Sequence, residues 1–141
     1  MALYDSSKTN KTGRQNRLYK DIDMDFVRNS VTNDVNTVEN VNAVKRSLRN
    51  LIQTNFYERP FQPELGCGIR ELLFENFTPI TGMFIRRKLE EVITNYEPRA
   101  RLADLSVSEK QDKNAIEVTI SFYVLNMPQP VSVTTLLQRV R

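Results

Sequence analysis

The side chains best suited to acid–base chemistry in this sequence are Glu58, Glu64, Glu71, Glu75 and Glu97, because the chain contains no histidine. Two carboxylates facing each other across a cleft, one with a raised pKa, would make a glycoside hydrolase. These glutamates fall in different local settings, and their spacing places no two of them at the separation such chemistry requires. Arg59 and Arg70 lie close by and are as suited to neutralising the acids as to tuning them. Without histidine, a Ser-His or Cys-His nucleophile pair is impossible, and so is a zinc site of the usual ligand types. Cys67 is the only cysteine and sits between Gly66 and Gly68. Activating its thiol would need a neighbouring cation or a helix N-terminus. A small buried residue in a tight turn is the simpler reading. The glycine-rich stretch around it carries no phosphate-binding pattern. Neither catalysis nor a bound cofactor or metal is expected.

Glu97-Pro98-Arg99 is the most pointed motif. The proline stiffens a junction between an acid and a guanidinium that can bond carboxylates bidentately or reach backbone carbonyls. On the tripeptide alone, a capping turn with an exposed ion pair worth ~0–1 kcal/mol is the simpler reading.

Several elements must position these residues. From Val38 to Phe56, Val41, Val44, Leu48, Leu51, Ile52 and Phe56 recur at steps of three and four, which predicts an amphipathic helix with Lys45, Arg46 and Arg49 mainly off the apolar stripe. Prolines and glycines then punctuate residues 59–68, and a short helix over 69–75 follows, with Leu72, Leu73, Phe74 and Phe77 facing inward. Thr78-Pro79 opens the next helix as N-cap and first helical residue. That helix runs through Met83, Ile85, Leu89, Val92 and Ile93, and Pro98 ends it near Tyr96. Ala103, Leu105 and Val107 begin a strand, and residues 111–114 read as a turn. Ile116, Val118, Ile120, Phe122 and Val124 then alternate strictly with polar neighbours, the pattern of a half-buried strand. A third strand follows over 131–140 and lies at a sheet edge, ending in Arg139 and Arg141. Such an edge is either protected or used to recruit a partner's strand.

The fold class expected is therefore α+β: about three helices on a small antiparallel sheet of about three strands. Residues 38–141 form this domain, and residues 1–37 form an extended or disordered N-terminal arm. The arm is polar, with Lys8, Lys11, Arg14, Arg17 and Lys20 against Asp5 alone in its first 20 residues. It cannot bury enough surface to offset its own ordering entropy. An island of Leu18, Tyr19, Ile22 and Phe26 among Asp21, Asp23 and Asp25 could tack it to the domain or to a neighbour. No signal peptide and no transmembrane helix are expected. The net charge of +3 is small, and the aromatics do not interleave with the basic arm as a base-stacking platform would need, so specific nucleic-acid binding is not expected.

Taken in order, these segments resemble a known family. They are Leu18-Tyr19-Lys20-Asp21-Ile22-Asp23, the amphipathic helix, Arg59-Pro60-Phe61-Gln62-Pro63-Glu64-Leu65-Gly66-Cys67, Leu73-Phe74-Glu75-Asn76-Phe77-Thr78-Pro79, Asn95-Tyr96-Glu97-Pro98-Arg99 and the alternating strand. Over residues 17–141 the chain is similar to the baseplate wedge proteins of contractile phage tails, the family once labelled tail lysozyme-like. Its relatives include the small wedge subunit of the type VI secretion baseplate. The resemblance implies a structural virion protein, assembled in the host cytoplasm and placed at the inner baseplate close to the tail tube. It further implies that the protein binds the core helical bundle of the larger wedge proteins and supports the first ring of tail-sheath subunits. Glu97, Pro98 and Arg99 match the family's motif for core-bundle contact, while Arg59 and Phe61 match its loop motif. The older label suggests an alternative, a peptidoglycan-degrading muramidase using paired carboxylates.

Overall fold

The structure is a computed structural model that describes residues 19–125 and 127–138. It divides into two compact units, residues 1–40 and 41–141.

In the first unit, strand β1 (Lys20–Ile22) pairs antiparallel with β2 (Thr37–Glu39), and an isolated bridge joins Arg28 to Val35. Asparagine and aspartate make the turn between them. The Asn29 side chain accepts from the Val31 amide at 2.9 Å and the Thr32 amide at 3.3 Å, and the Asp23 carboxylate accepts from the Asp25 amide at 3.1 Å. Phe26 and Asn33 take the left-handed conformation, at φ 51° and 58°. Residues 20–39 thus form a hairpin where the polar composition predicts arm. The same Asn and Asp residues that lower apolar content also satisfy local backbone amides, which is what a turn requires. Leu18, the arm cations Lys8, Lys11, Arg14 and Arg17, and the C-terminal Arg139 and Arg141 lie outside the described residues.

The second unit is the α+β fold expected from the periodicities. Helix α1 (Asn40–Gln53) buries Ala43, Val44, Leu48, Leu51 and Ile52. It is shorter than the predicted span and stops before Phe56. The short helix α2 (Ile69–Leu72) is also shorter than predicted, and Phe74, read as facing inward, is 69% exposed. Helix α3 (Pro79–Tyr96) starts as the sequence indicates, with the Thr78 hydroxyl accepting from the Thr81 amide at 3.2 Å. Its core stripe is Ile85, Leu89, Val92 and Ile93, whereas Met83 points to solvent.

Strands β3 (Ala100–Lys110), β4 (Ala115–Val124) and β5 (Pro130–Gln138) form one antiparallel sheet in that order. A 3₁₀ turn at Gln111–Lys113 joins the first two, and Asn114 closes it at φ 47°. The alternation of β4 is realised fully: Ile116, Val118, Ile120, Phe122 and Val124 are buried. Opposite Ile120 stand Leu105 on β3 and Val133 on β5, both buried, so all three strands contribute to the same core face. The β3–β4 register shifts between Leu102 and Asp104, a bulge at Ala103. Pro130 opens β5, a position where a missing amide costs no internal ladder bond. Helix α3 packs against β3, and this places its C-terminal end at the start of the sheet.

Candidate functional site

At the junction of α3 and β3 the chain turns through Glu97-Pro98-Arg99. The Glu97 amide donates to Ile93 O at 2.9 Å, and Ala100 N donates to Glu97 O at 3.1 Å, so the corner is hydrogen-bonded on both sides. The Glu97 residue is only 2% exposed, which overturns the reading of an exposed pair. Arg99 Nε donates to Glu97 Oε1 at 2.6 Å and Arg99 Nη2 donates to Oε2 at 2.9 Å, a bidentate pair. The Ser47 hydroxyl, from α1, also donates to Oε2. Burial alone would raise the Glu97 pKa, but the bonds from Arg99 and Ser47 outweigh it and hold the carboxyl below its ordinary value. Glu97 is thus an internal brace between helix and corner. Pro98 is exposed and the Arg99 side chain is 24% exposed, so these two form the corner's surface.

The loop holding Arg59 and Phe61 is a folded object with its own bonds. Cys67 N donates to Thr54 O at 2.9 Å and closes it. Tyr57, at φ 65°, donates its amide to Pro63 O at 2.9 Å. Asn55 binds Glu58 twice, through its amide at 3.0 Å and its side chain at 2.9 Å. At Gly66 an added Cβ would lie 2.5 Å from the Asn55 carbonyl carbon, so only glycine lets the loop close this tightly on the end of α1. Phe61 stands at 99% exposure, and Arg59 is exposed beside it. The Tyr96 hydroxyl donates to Glu64 O at 3.2 Å, tying the loop to the last residue of α3 before the corner.

The catalytic alternatives fare poorly in this geometry. Glu58 is held below its ordinary pKa, first by the Asn55 amide, and Glu97 is lowered too; a general acid needs a shift the other way. The Cys67 thiol is fully buried, and that burial pushes its pKa up to about 12, against a smaller opposing effect from Lys88. Among the described residues, no three His, Cys, Asp or Glu side chains are placed to hold a metal ion, and no helix is long and apolar enough to cross a membrane. Ser47 was invisible in the sequence: a serine on a helix carries no signal for a partner 50 residues away. Tyr96 is legible as the end of the helix and as part of the Asn95–Arg99 segment, but not as a bond to the loop at Glu64.

A small α+β domain with a braced polar corner, a rigid aromatic loop and a sheet open at its edges has the build of a docking module. The chain belongs to the family described as baseplate wedge protein gp25, whose model matches residues 38–129. It is 35% identical to the baseplate wedge protein gp25 of Enterobacteria phage T4 over 116 residues, covering 82% of this chain and 87% of that protein. In the cryo-EM structure of the anti-feeding prophage baseplate, a 31% identical chain matches with a TM-score of 0.67, covering 78% of this chain and 88% of its own. Two more distant structures share the fold. One is a chain of the type VI secretion system baseplate complex, with a TM-score of 0.55 at 18% identity, covering 69% of this chain and 93% of its own. The other is a proposed tail lysozyme from Geobacter sulfurreducens, with a TM-score of 0.63 at 21% identity, covering 70% and 90%. The family's role is structural, in the baseplate of phage and phage-like particles.

Proposed function

We propose that this protein is a structural, non-enzymatic component of a contractile-tail baseplate wedge. It binds the core helical bundle of the larger wedge proteins through the Glu97–Arg99 corner, near the inner baseplate and the tube, and its sheet carries the first ring of sheath subunits. The observation that carries this reading is the braced corner. A rigid, pre-formed polar turn loses little entropy on binding, which is what a stable structural contact needs. The loop bearing Arg59 and Phe61 adds an exposed aromatic on a rigid mount, the usual form of an interface anchor.

The test is assembly with the larger wedge proteins of the same particle. Arg99→Ala should abolish wedge formation while the isolated domain keeps its circular dichroism spectrum. Normal assembly by that variant would remove the corner from the interface. The muramidase alternative has its own test, turnover of purified peptidoglycan across acidic and neutral pH. No turnover is expected; turnover abolished by a single Glu→Gln change would restore that alternative.

A further inference from the structure

Arg99 spends its charge on Glu97. The next arginine, Arg101, does not: among the described residues its side chain has no hydrogen bond and no ion pair, and it is exposed. It stands opposite Tyr123 across the β3–β4 ladder, beside a surface hollow of about 570 Å³. Leu102, Tyr123, Leu125 and Met127 line this hollow with Arg101. Tyr123 is 40% exposed and Leu125 50%, so a partner could cover both. The hollow continues directly from the corner, since Leu125 N donates to Arg99 O at 3.1 Å and Ala100 pairs with Val124.

We infer that this hollow receives a partner helix through one apolar side chain seated among Leu102, Tyr123 and Leu125, with an Asp or Glu one helical turn away paired to Arg101. Two features select that occupant. Arg101 is an exposed cation at the rim of this hollow with no partner among the described residues, which calls for an acid on the partner. Two backbone amides at the hollow are already used, Leu125 N on Arg99 O and Met127 N on Val124 O at 2.9 Å. The bulge beside Leu102 also discourages strand addition along β3, which favours side-chain recognition. Apolar and acidic residues three or four apart on one helix face supply it. This inference rests on the larger wedge proteins being the partner, and it places the electrostatic recognition at Arg101 rather than Arg99.

The experiment titrates the full-length chain against the purified larger wedge proteins of its own particle. The variants are Arg101→Glu, Arg101→Lys, Leu125→Asp and Leu125→Ala, with Arg99→Ala in parallel and thermal melting of each. Arg101→Glu and Leu125→Asp should weaken binding by roughly tenfold or more. Arg101→Lys should retain most of the affinity, and added salt should weaken wild type more than Arg101→Glu. The Arg101 and Leu125 variants should melt close to wild type, and Arg99→Ala should melt lower because it leaves the buried Glu97 carboxylate without its guanidinium; if Leu125→Asp also melts lower, Leu125→Ala takes its place. Wild-type affinity in both Arg101→Glu and the Leu125 variant overturns this inference. If Arg99→Ala still loses binding in that case, the corner reading survives without it. If Arg99→Ala binds normally while Arg101→Glu does not, the corner reading fails and the Arg101 contact stands.

Discussion

Glu97 shows how a single side chain can be misjudged from its neighbours in sequence. Glu-Pro-Arg is legible as a motif, and the pairing of its acid with its guanidinium follows from their separation by one residue. Its burial is not legible, because the third member of the cluster, Ser47, comes from a helix 50 residues away. That member changes the energetics. An exposed pair is worth ~0–1 kcal/mol, whereas a buried carboxylate with three hydrogen bonds leaves unsatisfied donors when it is removed. Glu97→Gln should cost about 1–3 kcal/mol at neutral pH. The pH dependence follows from the lowered pKa. In the folded chain Glu97 stays ionised at pH values where the unfolded chain has begun to bind a proton. Its contribution is therefore complete above the unfolded value, about 4.3 for an ordinary glutamate, and is lost as pH falls through the folded value. Urea denaturation of wild type and Glu97→Gln from pH 7 downward should show a stability gap that is constant near neutrality and closes in acid. A gap independent of pH would mean that the carboxylate charge contributes nothing.

Elements differ in how far local sequence specifies them, and the differences have local causes. The N-cap of α3 was fully specified by Thr78-Pro79, since capping depends only on residues within one turn. Thr78→Ala should cost about 1 kcal/mol, visible as a lowered urea midpoint with an unchanged slope. Strand β4 was equally legible because its alternation is strict and one face is buried. The β1–β2 hairpin is not legible because its apolar residues, among them Ile22, Met24, Phe26, Val27 and Val31, stay exposed and bury no common face. Its order comes from Asn and Asp side chains bonding local amides, a signal that polar composition hides. The loop is legible as irregular over residues 59–68, whereas the helical periodicity runs on to Phe56, past the observed end at Gln53, and the loop's rigidity rests on close approach. At Gly66 the space beside the Cα is filled by Asn55 backbone, which cannot swing aside as a side chain tip could. Gly66→Ala should therefore destabilise the domain by about 1–3 kcal/mol. It should also raise hydrogen exchange at the Cys67 amide, whose bond to Thr54 O closes the loop. Gly82→Ala is the control: its added Cβ would meet only the far end of the Phe77 ring at 3.2 Å, so a much smaller effect is expected.

At the scale of the whole molecule, every buried apolar residue among those described lies between Ala43 and Leu137. The second unit therefore holds its own core, and a chain beginning at Val38 should still unfold cooperatively, with a midpoint within about 5 °C of the full-length protein. A broad transition on truncation would show that the hairpin belongs to the folding unit. The sheet of that unit has two edges of different character. Strand β3 carries Arg101, Asp104, Glu109 and Lys110 along an edge bent by the bulge at Ala103, features that discourage strand addition. Strand β5 has no charged residue from Pro130 to Gln138 and pairs with β4 in unbroken register from Pro130 through Gln138. Its outer edge is thus long, regular and rich in β-branched residues, which suits it to accept a strand. If the sheet carries the first sheath ring, β5 is the edge that receives it. Thr134→Lys with Leu136→Lys places two cations on the exposed face of β5, where both side chains already meet solvent. The double variant should melt within a few degrees of wild type, about the scatter of surface substitutions. It should join wedges normally and fail to recruit sheath subunits, seen as wedge-containing baseplates without a sheath ring by electron microscopy. Sheath recruitment at wild-type levels would move the sheath contact away from β5.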